Sequence, residues 1–304
     1  MEKFLCFFML AVCGASAASL PETRLPETRI VGGSVARENE FPYAVSIQQL
    51  SQVLQNTRGH ICGGVLITLR HVLTTASCTY SYVNTGSSPV PIIPSEYRVF
   101  AGSVLLTNNS SPELFRMVVN ITRHPNYIGT PMFVNDIAVI TLNEPFNNAV
   151  VTPLPLPHQS FQPAEGAECV TAGWGSQEAT VSANVNMLFA RKVIPSQKIC
   201  ALQYNTVQGP NILPSMLCAT TLDGRTAGCV GDYGNGLVCN GGLAGILSMS
   251  SYCTVNTFPE VYTRVANYTT WIRNVTGGAS TFQPGLAALI LFTVVQLITA
   301  KIIS

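Results

Sequence analysis

A chain of 304 residues is long enough for one large or two modest domains with a buried core, which excludes a single small stapled module. Charged residues make up only 10% of it and the net charge is +1, against roughly 25% charged residues in ordinary soluble domains. No polybasic surface for nucleic acid or anionic lipid follows from this balance, and no nucleic-acid partner is expected.

Residues 1–17 read as a secretory leader. Lys3 precedes the apolar run "FLCFFMLAVC", and Ala15-Ser16-Ala17 supply a small-residue cleavage pattern. Residues 18–29 form a linker with the tandem repeat "LPETRLPETR", in which each copy carries a proline and ends in arginine. Such an extended segment is open to a trypsin-like protease after Arg24 or Arg29; the alternative is a duplicated spacer without a role.

Short apolar runs follow, among them "YAVSIQ", "GGVLIT", "HVLTTA", "FRMVVNITR", "DIAVITL", "CVTAGWG" and "LFARKVI", parted by Gly, Pro, Asn and Ser. Many short strands with almost no helical periodicity predict an all-β sandwich or barrel. The one expected helix lies in "RVANYTTWIRNV". Two connections, "QLSQVLQNTRG" and "YSYVNTGSSPVPIIPSE", are long and serve as surface loops or binding elements.

The tail, residues 276–304, carries a 16-residue apolar run, Gly285 to Ala300, interrupted by Gln296. A spanning helix needs roughly 20 residues. Small residues at Gly277 to Ser280, the spacer "STFQP" and the lack of a cytoplasmic tail fit a signal exchanged for a glycolipid (GPI) anchor, with a tail-anchored helix or an uncleaved hydrophobic tail as the alternatives. The expected location is therefore secreted, on the outer face of the plasma membrane.

Of ten cysteines, Cys6 and Cys13 fall in the leader, leaving eight. An even number in a secreted chain predicts a disulfide framework. No pair has C-x-x-C spacing, so no metal site and no cofactor are expected. Sequons at Asn108, Asn109, Asn120, Asn267 and Asn274 add expected glycans.

From about Ile30 to Val275 the chain resembles the trypsin/chymotrypsin family of serine proteases. The motifs "RIVGG", "HICGG", "LTTASC", "NDIAVITL", "CVTAGWG", "GDYGNGLVC" and "PEVYTRVANYTTWI" occur in the family's order and approximate spacing. The resemblance implies two packed, six-stranded, antiparallel Greek-key β-barrels, roughly 30–150 and 151–275, with a cleft between them and a C-terminal helix. It also implies the pairs Cys62–Cys78, Cys169–Cys239, Cys200–Cys218 and Cys229–Cys253.

The family's chemistry needs a serine to attack, a histidine to take its proton and a buried aspartate to orient that histidine. The aspartate is present as Asp136. The histidine position holds Ser77 and the serine position holds Tyr233. A serine hydroxyl is no base near neutral pH, and a phenol of reference pKa about 10 needs one to become a nucleophile. His71, His124 and His158 are read as structural or solvated. Loss of nucleophile or base alone costs on the order of 10⁶ in turnover in a comparable triad, so the resemblance implies a catalytically inactive homologue.

The specificity pocket departs as well. The acid of trypsin-like relatives is Ala227, the wall is Ser248, Met249 and Ser250, and a family glycine is Glu260. A narrowed pocket is expected, with Glu260 plugging it, meeting a basic group, or turned to solvent. Arg29, Ile30 and Asp232 match the family's activation switch, in which a freed isoleucine amine pairs with the aspartate, and His60 matches the residue that holds this aspartate in some proenzymes. The switch either still reshapes the loop or survives as inherited structure. Three readings remain: protein binding by an inactive homologue, whose partner is a protease, an inhibitor or a substrate-like ligand; residual endopeptidase activity at an atypical site; and glycan-binding adhesion.

Overall fold

The computed structural model describes residues 33–277, apart from 56, 82–87, 109, 177–182, 208, 222–225, 251–252 and 254–257. The leader, Arg24, Arg29, Ile30, Asn109 and the apolar tail therefore lie outside the described residues. No helix among the described residues is long and apolar enough to cross a membrane.

Among the described residues, fifteen strands run in chain order. The first nine are β1 (Ser34–Val35), β2 (Ala44–Gln49), β3 (His60–Thr68), β4 (His71–Thr74), β5 (Tyr80–Ser81), β6 (Val90–Pro91), β7 (Tyr97–Phe100), β8 (Phe115–Arg123) and β9 (Ala138–Leu142). The rest are β10 (Glu168–Gly173), β11 (Leu188–Val193), β12 (Met216–Ala219), β13 (Gly236–Cys239), β14 (Gly242–Met249) and β15 (Glu260–Arg264). Two α-helices, α1 (Gln197–Thr206) and α2 (Thr269–Val275), complete the fold, α2 following a 3-10 turn at Val265–Tyr268.

Strands β2, β3, β4, β9, β8 and β7 close into an antiparallel barrel in that order. The second sheet runs β1-β11-β10-β13-β14-β15-β12, also antiparallel throughout. A Val193–Thr220 bridge joins its two ends, so six of its strands curl into the second barrel while the two-residue β1 is an extra edge strand. The expectation of two six-stranded barrels holds, with that edge strand and a separate two-stranded β5–β6 ribbon in addition.

β3 shows why a continuous apolar run, rather than an alternating one, suits this fold. Leu66 points into the first barrel with Val45, Val72, Val99 and Ile140, while Val65 and Ile67 meet Leu243 and Ile246 of the second barrel and Ile272 of α2. Both faces of the strand are covered, so neither needs polar residues. A third cluster builds around the fully buried Trp174, whose indole Nε1 donates to the Val104 carbonyl at 2.9 Å.

The four disulfides join the pairs that the family resemblance implies. Cys62–Cys78 and Cys200–Cys218 close loops of 16 and 18 residues, each worth about 3 kcal/mol in the chain-entropy account. Cys169 and Cys239 are directly opposed on β10 and β13.

Helix α1 was not expected from the sequence. It turns Cys200 and Tyr204, one turn apart, into the protein, and Tyr204 donates to the Pro259 carbonyl at 2.7 Å. Ile199 and Leu202 face outward. With apolar residues on both faces, the segment carries little of the one-sided periodicity by which helices are recognised.

Candidate functional site

The site residues gather in the cleft between the barrels. Ser77 opens a 3-10 turn, Ser77–Thr79, directly after β4, and Cys62–Cys78 ties that turn to β3. Asp136 precedes β9 and is fully buried. Its Oδ1 accepts from the Ser77 backbone N–H at 2.7 Å, and its Oδ2 accepts from Ser77 Oγ at 2.9 Å and Ser248 Oγ at 2.6 Å. Burial pushes the Asp136 carboxyl up to about 6, against the pull of these hydrogen bonds from Ser248 and Ser77.

The donors around this acid are hydroxyls and backbone amides, and none of them can take up a proton as a base. His71 hydrogen-bonds Thr68 through Nδ1 at 2.8 Å, His158 pairs with Ser160 at 2.8 Å, and the His124 ring packs against Tyr268 and Trp271. The structure brings none of these contacts to Asp136, Ser77 or Tyr233.

Tyr233 is half-buried and packs against the cores of both barrels. Its carbonyl accepts from the Gly63 N–H at 2.8 Å. Its phenol oxygen accepts from Ser250 Oγ at 3.4 Å, so the side chain reaches from the loop to the far wall of the pocket.

That loop is shaped by its glycines and by Asp232. Gly231 and Gly234 have φ of 92° and 88°, a region that costs a side chain energy. The buried Asp232 carboxylate accepts from Gly175 N at 3.0 Å, Cys229 N at 3.0 Å and Asn235 Nδ2 at 2.9 Å. Burial raises its pKa to about 7, against the hydrogen bond from Cys229. His60 does not hold this carboxylate. Its Nε2 donates to the Gly231 carbonyl at 3.0 Å and its Nδ1 accepts from Ser46 Oγ at 2.7 Å, which assigns the neutral tautomer. Burial lowers the ring's pKa to about 4, consistent with that assignment.

The pocket is filled from within. Glu260 starts β15 and is buried, as is Ala227 opposite. Lys192 of β11 donates to Glu260 Oε1 at 2.7 Å, the Gly228 N–H donates to the same oxygen, and Tyr262 OH donates to Oε2 at 2.6 Å. Lys192 is 1% exposed. Burial first, and then the Glu260 charge, drive the Tyr262 phenol well above its usual range. What remains among Thr171, Ala190, Lys192, Ala227, Asp232 and Glu260 is about 10 Å³ in which the centre of a water molecule fits, about one water. Of the wall residues, Ser248 is spent on Asp136, Ser250 on Tyr233, and Met249 packs with Tyr204 and Phe258.

Lys192 was not foreseen, although the sequence carries a signal for it. Counting by twos from the inward Leu188 along β11 gives Ala190 and then Lys192, both buried, with Arg191 exposed between them. Among the sequons, Asn120, Asn267 and Asn274 are exposed. Asn108 is half-buried, its Nδ2 donating to Ser103 Oγ at 3.2 Å.

Comparison with known proteins matches residues 30–272 to the family model described as Trypsin. The chain is 32% identical to anionic trypsin of Canis lupus familiaris, over 88% of this chain and 96% of that one. It is 30% identical to a trypsin of Xenopus laevis over 88% and 97%. Among solved structures it is similar to human heparin binding protein, at 29% identity and a TM-score of 0.65, covering 83% of this chain and 98% of that one. Neuropsin from mouse brain matches at 29% identity and a TM-score of 0.65, covering 80% and 98%.

Proposed function

This chain belongs to the trypsin family of serine endopeptidases, and we propose that it is a member without peptidase activity that acts outside the cell by binding another protein. The observation that carries the proposal is the hydrogen bonding of Asp136. Its Oδ2 accepts from Ser77 Oγ, which stands where the family's chemistry calls for an imidazole, and from Ser248 Oγ beside it. With Tyr233 at the serine position, neither a nucleophile nor a base is at hand.

The pocket supports the same reading independently. A substrate side chain entering it meets Lys192 paired with Glu260, and displacing that pair exposes a desolvated charge. Residual catalysis from backbone donors alone is only about 10³ to 10⁴ over water in a triad stripped of its members. Four disulfides support an oxidising, extracellular setting. The partner is then a protease, an inhibitor or a substrate-like protein that meets the rim of the cleft. Heparin binding is a property of the similar human protein; the net charge of +1 here gives a polyanion little to hold.

The test is covalent labelling with a serine-directed phosphonate, together with turnover of a peptide library, on mature protein cut after Arg29. Neither signal is expected above background. Labelling accompanied by library turnover would overturn the proposal. Partners captured on the same protein are expected to be proteins of the kinds named; recovery of sugars alone would move the function to glycan adhesion.

A further inference from the structure

We infer that the Asn235 side chain holds Asp232 from inside the domain, so that the 229–236 loop takes its shape without cleavage after Arg29. This concerns how the loop is set rather than what it binds, and it stands or falls separately from the binding proposal.

In "GDYGNGLVC" Asn235 stands where the family resemblance implies a glycine. A glycine has no side chain to offer, whereas the Asn235 carboxamide reaches back three residues and donates to Asp232 Oδ1 at 2.9 Å. The amide is 3% exposed and lies in a slot with one glycine from each barrel on its walls. A Cβ on Gly63 of β3 or Gly173 of β10 would overlap it. The barrels thus clamp the carboxamide, and the carboxamide fixes the carboxylate. Gly175 N and Cys229 N also donate to it, so among the described residues Asp232 has three donors, all within residues 175–235.

The rest of the loop is bonded in the same self-contained way. The Val230 carbonyl accepts from Ser176 N, Gly231 O from His60 Nε2, Asp232 O from Asn235 N and Tyr233 O from Gly63 N. Gly234 N and Asn235 O both pair with Leu247 of β14, and Cys229 is cross-linked to Cys253. Each of these partners lies between residues 60 and 253. Buried backbone groups left unpaired are costly, and here they are paired by the domain itself. His60, bonded to Gly231 O and Ser46, is not available to swing Asp232 into a second arrangement.

The experiment compares hydrogen exchange at amides 229–236 in an uncut Arg29→Gln chain and in wild-type protein cut so that it begins at Ile30. The two should agree within about twofold, and Asn235→Ala in the uncut chain should speed exchange there by about fivefold to tenfold, the loss of one buried hydrogen bond. A loop that becomes about tenfold more protected on cutting wild-type protein would overturn the inference. So would an uncut Asn235→Ala chain as protected as wild type. Should Asn235→Ala fail to fold, the cut and uncut wild-type comparison decides alone.

Discussion

Asp136 and Glu260 are both buried acids of the cleft, and they are kept in opposite ways. Among the described residues Asp136 is held by neutral donors, backbone amides and hydroxyls. Glu260 is held by a buried ammonium as well as by Gly228 N and Tyr262 OH. The difference follows from how each departed from the family pattern. At Asp136 a ring was lost and the Ser77 hydroxyl took its place on an acid that was already there. At Glu260 an acid entered a dry site in place of glycine, and a carboxylate so placed is costly unless a countercharge comes with it. Losing a reaction therefore called for neutral donors only, whereas filling a pocket called for a countercharge.

The sharpest way to break this contrast is Lys192→Met. It leaves Glu260 buried without its cation and should lower unfolding stability by about 3–5 kcal/mol, seen as a fall in the denaturant midpoint. The double variant Lys192→Met with Glu260→Gln should recover most of the loss, because the uncompensated charge is then gone. A single-variant loss under about 1 kcal/mol would mean that the ion pair adds no more than a surface one does.

Ser248→Ala removes one of the neutral donors of Asp136 and should cost less, about 2 kcal/mol for a hydrogen bond to a charged acceptor. Losses as large as those for Lys192→Met would erase the distinction between the two acids.

The smallest effect is in the pH dependence. Asp136 and Asp232 are raised to about 6 and about 7, so the folded state keeps protons that the unfolded chain releases near pH 4. Their contribution is complete below the ordinary carboxylate range and is lost as pH rises through those values. His60 opposes them. Lowered to about 4, it contributes fully above its ordinary 6.5 and loses that contribution as pH falls. Two groups outweigh one, so stability should decline by on the order of 1 kcal/mol from pH 5 to 7.5. Thermal melts across that range check it, and Asp136→Asn should flatten the curve. A melting temperature that climbs with pH would contradict this balance.

The strands, the cleft and the substituted positions Ser77 and Tyr233 were legible in the sequence, because each sits in a short motif with a fixed neighbour. "LTTASC" and "GDYGNG" mark their places whatever residue stands in the middle. Where the side chains go was not legible. Glu260 could plug the pocket or face solvent, and only the inward parity of Lys192, on a strand 68 residues away, decides between them. Helix α1 escaped notice because Ile199 and Leu202 break the one-sided pattern. The role of Asn235 was not legible either, since a carboxamide's partner three residues back depends on a turn that letters do not display.

Trp174 gives the buried loop an optical consequence. It is one of only two tryptophans in the chain, it precedes Gly175, whose amide binds Asp232, and its indole meets the His60 ring edge-on at 6.2 Å. His60 in turn carries the Gly231 carbonyl. The other tryptophan, Trp271, lies on α2 beside His124. An imidazole quenches indole emission more strongly once protonated, so the fluorescence of Trp174 reads the state of the loop from within, without an added label. Substituting Trp271 by phenylalanine leaves a single-colour gauge of whether the loop has moved.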